Sequence, residues 1–223
     1  MSARGWLIPV CLGLVFLGPA SAQAPKVPDA AFFSQDPKVL MRLCAEEAVR
    51  LDPKDTHLLV EFGDTMLALG DRQKAEEAFA KAVATKPDDP QTHHLIGLAW
   101  LRKGFRPEAL KAYQAMVSVN LSGSYQRLKN LLNKAAVDLV AAGEVKVAAD
   151  YQERSYQLDK SDANNFLEFG RAALLIGEKD LAALYFARAA KADPNDVDVW
   201  LEITNAHAEV HLRTTKAIGV PKP

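Results

Sequence analysis

Cysteine is nearly missing from this chain: its 223 residues carry two, Cys11 and Cys44. Cys11 falls inside an N-terminal apolar run with the features of a removable leader. With that leader gone, Cys44 is the one thiol left, so no intrachain disulfide can form and packing alone must hold the fold. A basic excess is also lacking. Lys and Arg number 27 against 28 Asp and Glu, a formal charge of −1, which argues against nucleic acid as a partner because phosphates are neutralised by surplus cations. There is no run of like charges to serve as a tail. Nor is there a phosphate-binding glycine loop, a nucleophile elbow or a zinc-protease helix motif. The chain is therefore expected not to be an enzyme and to need no cofactor. Hydrophobic residues make up 49% and charged ones 25%, the balance of a folded soluble protein rather than a disordered one.

The leader occupies residues 1–22. Arg4 charges its start, the stretch from Trp6 to Gly18 is apolar, and Ala20-Ser21-Ala22 gives the small-x-small pattern that signal peptidase reads. The apolar run is short for a membrane span. Cleavage after Ala22 leaves a mature chain that starts at Gln23 and balances at 26 − 28 = −2, since only Arg4 is lost. Ile8-Pro9-Val10 before Cys11 lack the small residue that lipoprotein processing requires. The expectation is export across the inner membrane in soluble form, with attachment to the membrane only through an uncleaved leader. Cys44 lies among Leu43, Ala45 and Ala48 and reads as a buried small residue.

What the chain does have is repetition. The phrase LVEFGDTMLALG, ending at Gly70, returns as FLEFGRAALLIG, ending at Gly177. Gly70, Gly104, Gly143 and Gly177 each follow an apolar run, spaced by 34, 39 and 34 residues. The period is thus 34 with one insertion of five. Two units cover 56–123, the insertion covers 124–128, and two more units cover 129–196. Each unit places apolar residues at i, i+3, i+4, i+7, then glycine, then a second such run. In the first unit Leu59, Phe62, Met66 and Leu69 make one face, and Ala75, Phe79, Ala82 and Val83 the other. Gly63, Gly97 and Gly170 lie inside the first helix, where glycine costs about 1 kcal/mol against alanine. That implies a partner helix passing too close for a side chain. Ala75, Ala109, Ala148 and Ala182 keep the facing position small. One such helix pair cannot bury its own faces, so neighbours must stack into an all-α solenoid.

Residues 23–36 read as a linker. Residues 37–55 read as the second helix of a partial repeat, started by Asp36-Pro37. Residues 197–212 read as a C-terminal capping helix with Trp200 and Ile203 on its apolar face, and 213–223 as a mobile tail.

These positions resemble the tetratricopeptide repeat, a family of 34-residue helix–turn–helix units. The first unit matches at Leu59, Phe62, Gly63, Met66, Ala75, Phe79, Ala82 and Pro87. The second matches at His93, Ile96, Gly97, Trp100, Ala109, Tyr113 and Met116, with Leu121 in place of the closing proline. The fourth matches at Phe166, Phe169, Gly170, Ala173, Ala182, Phe186, Ala189 and Pro194. The third departs from the pattern: Ala136 replaces the helix glycine, Gln152 the aromatic and Lys160 the proline.

The resemblance implies a right-handed solenoid of antiparallel helix pairs whose first helices line a concave groove. It further implies a scaffold or adaptor that takes a peptide or helix of another protein in that groove. By register the wall holds His57, Val60, Asp64 and Leu67, then Gln91, His94, Leu98 and Leu101, then Asn130, Asn133, Val137 and Val140, then Asn164, Leu167, Arg171 and Leu174. Leu67, Leu101, Val140 and Leu174 would form an aliphatic column along it. Some relatives hold a partner's terminal carboxylate with paired Lys, Asn and Arg at groove positions; Val60 and Asp64 stand at the corresponding first-unit positions, so that mode of binding is not expected. Arg127, Lys129 and Lys134 form a basic cluster at the junction of the second and third units, suited to steering an acidic-apolar segment onto the wall. The repeat type, the leader and the absence of disulfides point together to a periplasmic protein of the cell envelope. An alternative is a metal- or ligand-binding accessory domain using His207 and His211, which lie i, i+4 on the last helix with Glu202 nearby. His93 is expected to face the core and His94 the groove. Asn120-Leu121-Ser122 fits a glycosylation acceptor.

Overall fold

Aspartate opens several of the helices. The Asp55 carboxylate accepts from the backbone N–H of His57 and Leu58, Asp71 from Lys74, Asp89 from Thr92, and Asp162 from Asn165. Each cap satisfies donors that the first helical turn leaves without partners. In the computed structural model, residues 30–119 and 125–217 are described. The leader, the Asn120–Ser122 pattern, Ser124 and the end of the tail lie outside them.

Among the described residues every regular element is helical. Helix α1 (Ala30–Phe33) belongs to a separate unit that ends at Asp36, and its Phe32 and Phe33 rings meet edge to face at 5.1 Å. The unit from Pro37 onward contains α2 (Pro37–Leu51), α3 (Thr56–Ala68), α4 (Arg72–Thr85), α5 (Pro90–Arg102) and α6 (Arg106–Ser118). It continues with α7 (Tyr125–Ala141), α8 (Val145–Leu158), α9 (Ala163–Leu175), α10 (Lys179–Ala192) and α11 (Val197–Ala217). Helices α3 and α4, α5 and α6, α7 and α8, and α9 and α10 pack as pairs, and the first helices stack side by side from α3 to α11. This is the solenoid of stacked helix pairs.

The turn inside each pair sits on the glycine register. Gly70 has φ +81° and Gly177 φ +91°, with Gly104 and Gly143 between them in the same left-handed region, which side chains disfavour. Proline works at the other end: Pro90 opens α5, and its N–H would have found no partner there.

The helix glycines have a specific reason. A Cβ on Gly63 would lie 2.3 Å from Phe79 Cε1, one on Gly97 2.7 Å from Tyr113 Cε1, and one on Gly170 2.8 Å from Phe186 Cε1. The aromatic ring of the second helix occupies the space that a side chain on the first would need. In the third unit Gln152 stands where the others have the ring, and Ala136 fits, with both fully buried. The two departures of that unit are therefore one change, seen from both sides of a single contact.

Several expectations are corrected. Cys44 is exposed: α2 packs mainly on α3, with Ala45 and Val49 against the core, and has no buried residue of its own. Tyr125 to Leu128 of the insertion form the start of α7. Residues 213–217, placed in the tail, continue α11. On α11 the buried side chains are Val199 and Ala206, while Trp200 is 52% exposed with its indole N–H donating to the Pro194 carbonyl at 3.1 Å. Trp200 and Ile203 occupy the register that in earlier units meets the second helix of the same pair. No such helix follows α11 among the described residues.

Candidate partner-binding face

The stacking of first helices decides which wall residues can be reached. Leu67, Leu101, Val140 and Leu174 are all buried, at 7%, 9%, 0% and 6% exposure. They fill the seams between successive first helices, so the aliphatic column belongs to the core and offers nothing to a ligand. Val60 and Leu167 are buried in the same way. What remains at the surface is His57, Asn130, Asn164 and Arg171, with Asp64, Gln91, Leu98 and Val137 half-buried. Register counting missed Glu61, Leu95, Lys134 and Glu168, one residue further round each helix, which are also open or half-open.

His94 is the buried member of its pair, at 4% exposure, and His93 is half-open beside the Pro87 carbonyl. The reversal follows from α7, which closes over α5 and covers the wall position. There His94 Nε2 lies 3.1 Å from Asp138 Oδ2, and the Tyr113 hydroxyl donates to the same oxygen at 3.3 Å. Burial first, and then the Asp138 charge, push the Tyr113 hydroxyl far above its ordinary pKa. It remains a neutral donor. Asn133 is likewise buried and donates to Glu168 Oε2 at 2.7 Å.

The basic cluster does not exist as a patch. Arg127 reaches back to Asp89 Oδ1 at 2.6 Å. Lys129 is buried and its ammonium is held by Asp159 Oδ2 at 2.9 Å and by Asp162. Burial works against that charge, but hydrogen bonds to Asp162 and Asp159 overcome it and raise the Lys129 pKa. Asp159 answers in the other direction. Bonds from the Ser161 hydroxyl and from Lys129 hold its carboxyl down at about 2. Lys134 alone of the three stands exposed without an ion-pair partner among the described residues. At about 100° per residue, Lys129 faces away from Arg127, while Lys134 shares the Arg127 side but lies about two turns further along α7.

Three atoms of the wall register are buried without a hydrogen-bond partner: Asp64 Oδ1, His94 Nδ1 and Asn133 Oδ1. They come from α3, α5 and α7, one from each of three successive units. Between α3 and α5 lies a cleft of about 150 Å³, lined by His57, Val60, Glu61, Asp64, Leu95, Leu98, Ala99 and Arg102. Further along, Arg171 binds Glu209 at 2.6 Å and so ties α9 to α11.

A family model described as tetratricopeptide repeat matches residues 45–99, from within α2 to within α5. Over that segment the chain matches the tetratricopeptide repeat. Two solved structures resemble the repeat array. The crystal structure of MamA shares 19% identity, with 70% of this chain and 91% of that one covered and a TM-score of 0.44. The structure of YrrB, described as a TPR protein with an unusual peptide-binding site, also shares 19% identity, covering 74% of this chain and 84% of that one with a TM-score of 0.39. In the repeat protein described here, His207 and His211 both lie exposed on α11. Among the described residues no three His, Cys, Asp or Glu side chains come together as a metal site, and no helix is long and apolar enough to cross a membrane.

Proposed function

We propose that the protein is a non-catalytic scaffold of the cell envelope that holds a segment of another protein on the face formed by α3, α5, α7 and α9. The observation that carries this reading is the make-up of that face: Leu95, Leu98 and Val137 stand half-buried among the open polar side chains of His57, Glu61, Lys134 and Glu168. Apolar surface rimmed by polar residues is the pattern of surfaces where other proteins dock.

Recovery of partners from native extracts after crosslinking tests this, with wild type compared with Leu98→Asp. Loss of a specific partner in the variant is expected, and recovery of the same partners by both proteins would overturn the reading. The envelope setting rests on the leader at residues 1–22 and has its own test. N-terminal sequencing of the exported protein should begin at Gln23, and an intact Met1 contradicts it.

A further inference from the structure

The cleft between α3 and α5 has a chemistry of its own. Its walls are aliphatic, from Val60, Leu95, Leu98 and Ala99, and its rim carries the carboxylates of Glu61 and Asp64 against the single cation Arg102. Asp64 Oδ1 has no partner. Its other oxygen meets Arg102 Nη1 only at 3.9 Å, and that arginine is 61% exposed. So loose an ion pair at the surface contributes little and yields readily to a better donor. An aliphatic slot of about 150 Å³ with an under-coordinated carboxylate at its edge suits a long stem that ends in a cation.

We infer that this cleft receives a lysine or arginine side chain of the bound segment. The inference rests on the proposed use of the first-helix face and adds its selectivity. Asp64 accepts the charged head, Glu61 adds attraction, and Leu95 and Leu98 cover the methylenes. The partner is thus drawn to this end of the array by its basic residues, the reverse of the acidic segment that the apparent basic cluster suggested. Of that cluster, Arg127 is paired with Asp89 and Lys129 with Asp159 and Asp162, which leaves Lys134 alone.

A library of random twelve-residue peptides, selected on the full-length protein, supplies the probe. Binding of the enriched peptide is then measured by fluorescence anisotropy for wild type, Asp64→Asn, Glu61→Gln and Arg102→Ala. A lysine or arginine should recur at one position of the selected peptides. Its affinity should fall about tenfold in Asp64→Asn, the scale of one lost charge-assisted bond, fall by a smaller factor in Glu61→Gln, and rise in Arg102→Ala, which removes the competing cation. Circular dichroism confirms that each variant is folded. If Asp64→Asn is misfolded, the Glu61→Gln and Arg102→Ala responses decide alone. Selected peptides without a recurring basic residue, or affinity unchanged across the variants, overturn the inference while leaving the groove reading intact. Selected peptides that bind but still bind Leu98→Arg equally well overturn the groove reading itself.

Discussion

Replacing Gly63 with alanine should destabilise the protein, although alanine is the better helix former. The new methyl would sit 2.3 Å from Phe79 Cε1 and 2.7 Å from Cδ1, so the ring must retreat by about 1 Å to reach ordinary contact. Phe79 is 4% exposed and lies edge to face with Trp100 at 5.3 Å, which leaves it little room. Overpacking of this kind costs about 1–3 kcal/mol, and the gain in helix propensity returns about 1 kcal/mol. The net loss should be about 1 kcal/mol. Phe79→Leu removes the obstructing ring atoms, so in that background Gly63→Ala should stabilise by about 1 kcal/mol instead. The coupling between the two substitutions is then about 2 kcal/mol, well above what independent sites show. Urea unfolding followed by circular dichroism on the four proteins measures it. In the third unit, where Gln152 replaces the ring, the reverse change Ala136→Gly should destabilise by about 1 kcal/mol. Equal effects of Gly63→Ala in the two backgrounds would refute the argument that the ring is what demands the glycine.

Two further outcomes follow from the Lys129 cluster. Lys129→Met should lower stability by about 2 kcal/mol in urea, because it strands Asp159 and Asp162 beside a buried apolar chain, a loss moderated by their partial exposure. A variant as stable as the wild type would contradict the buried pairing. Asp159 carries the acid response. Its folded pKa, about 2, lies below the ordinary carboxylate value, so its contribution is complete above about pH 4 and disappears as pH falls from 4 to 2. With solvent screening allowed for, that contribution is about 1 kcal/mol. The wild type should therefore lose more stability than Asp159→Asn between pH 5 and pH 2.5, and parallel losses would contradict it.

The period, the helix pairs and the close approach at the helix glycines were legible in the sequence because they recur at fixed spacing, but register counting put Ala75, Ala109 and Ala182 opposite those glycines, where the rings of Phe79, Tyr113 and Phe186 come nearest. The face residues were less legible. Register counting separates the sides of one helix but does not show how near the next first helix comes. Leu67, Leu101, Val140 and Leu174 were assigned to the wall and lie in the seams between helices. Lys129 carried no local sign that Asp159 and Asp162, 30 and 33 residues on, would enclose it. His94 was legible only in part: its place on the wall register was right, but its burial depends on Asp138 of the next unit. Cys44 and Trp200 failed at the two ends of the array for one reason. Each sits on a helix that lacks one of its usual neighbours among the described residues, so residues with core-like spacing stay exposed.

The central claim is that partners bind the first-helix face. Photocrosslinking from single positions tests it most directly, with a benzophenone side chain placed at Leu98 on that face or at Leu184, 47% exposed on α10. A partner band from Leu98 and none from Leu184 is predicted. A band from Leu184 with none from Leu98 would place recognition on the second helices and contradict the account.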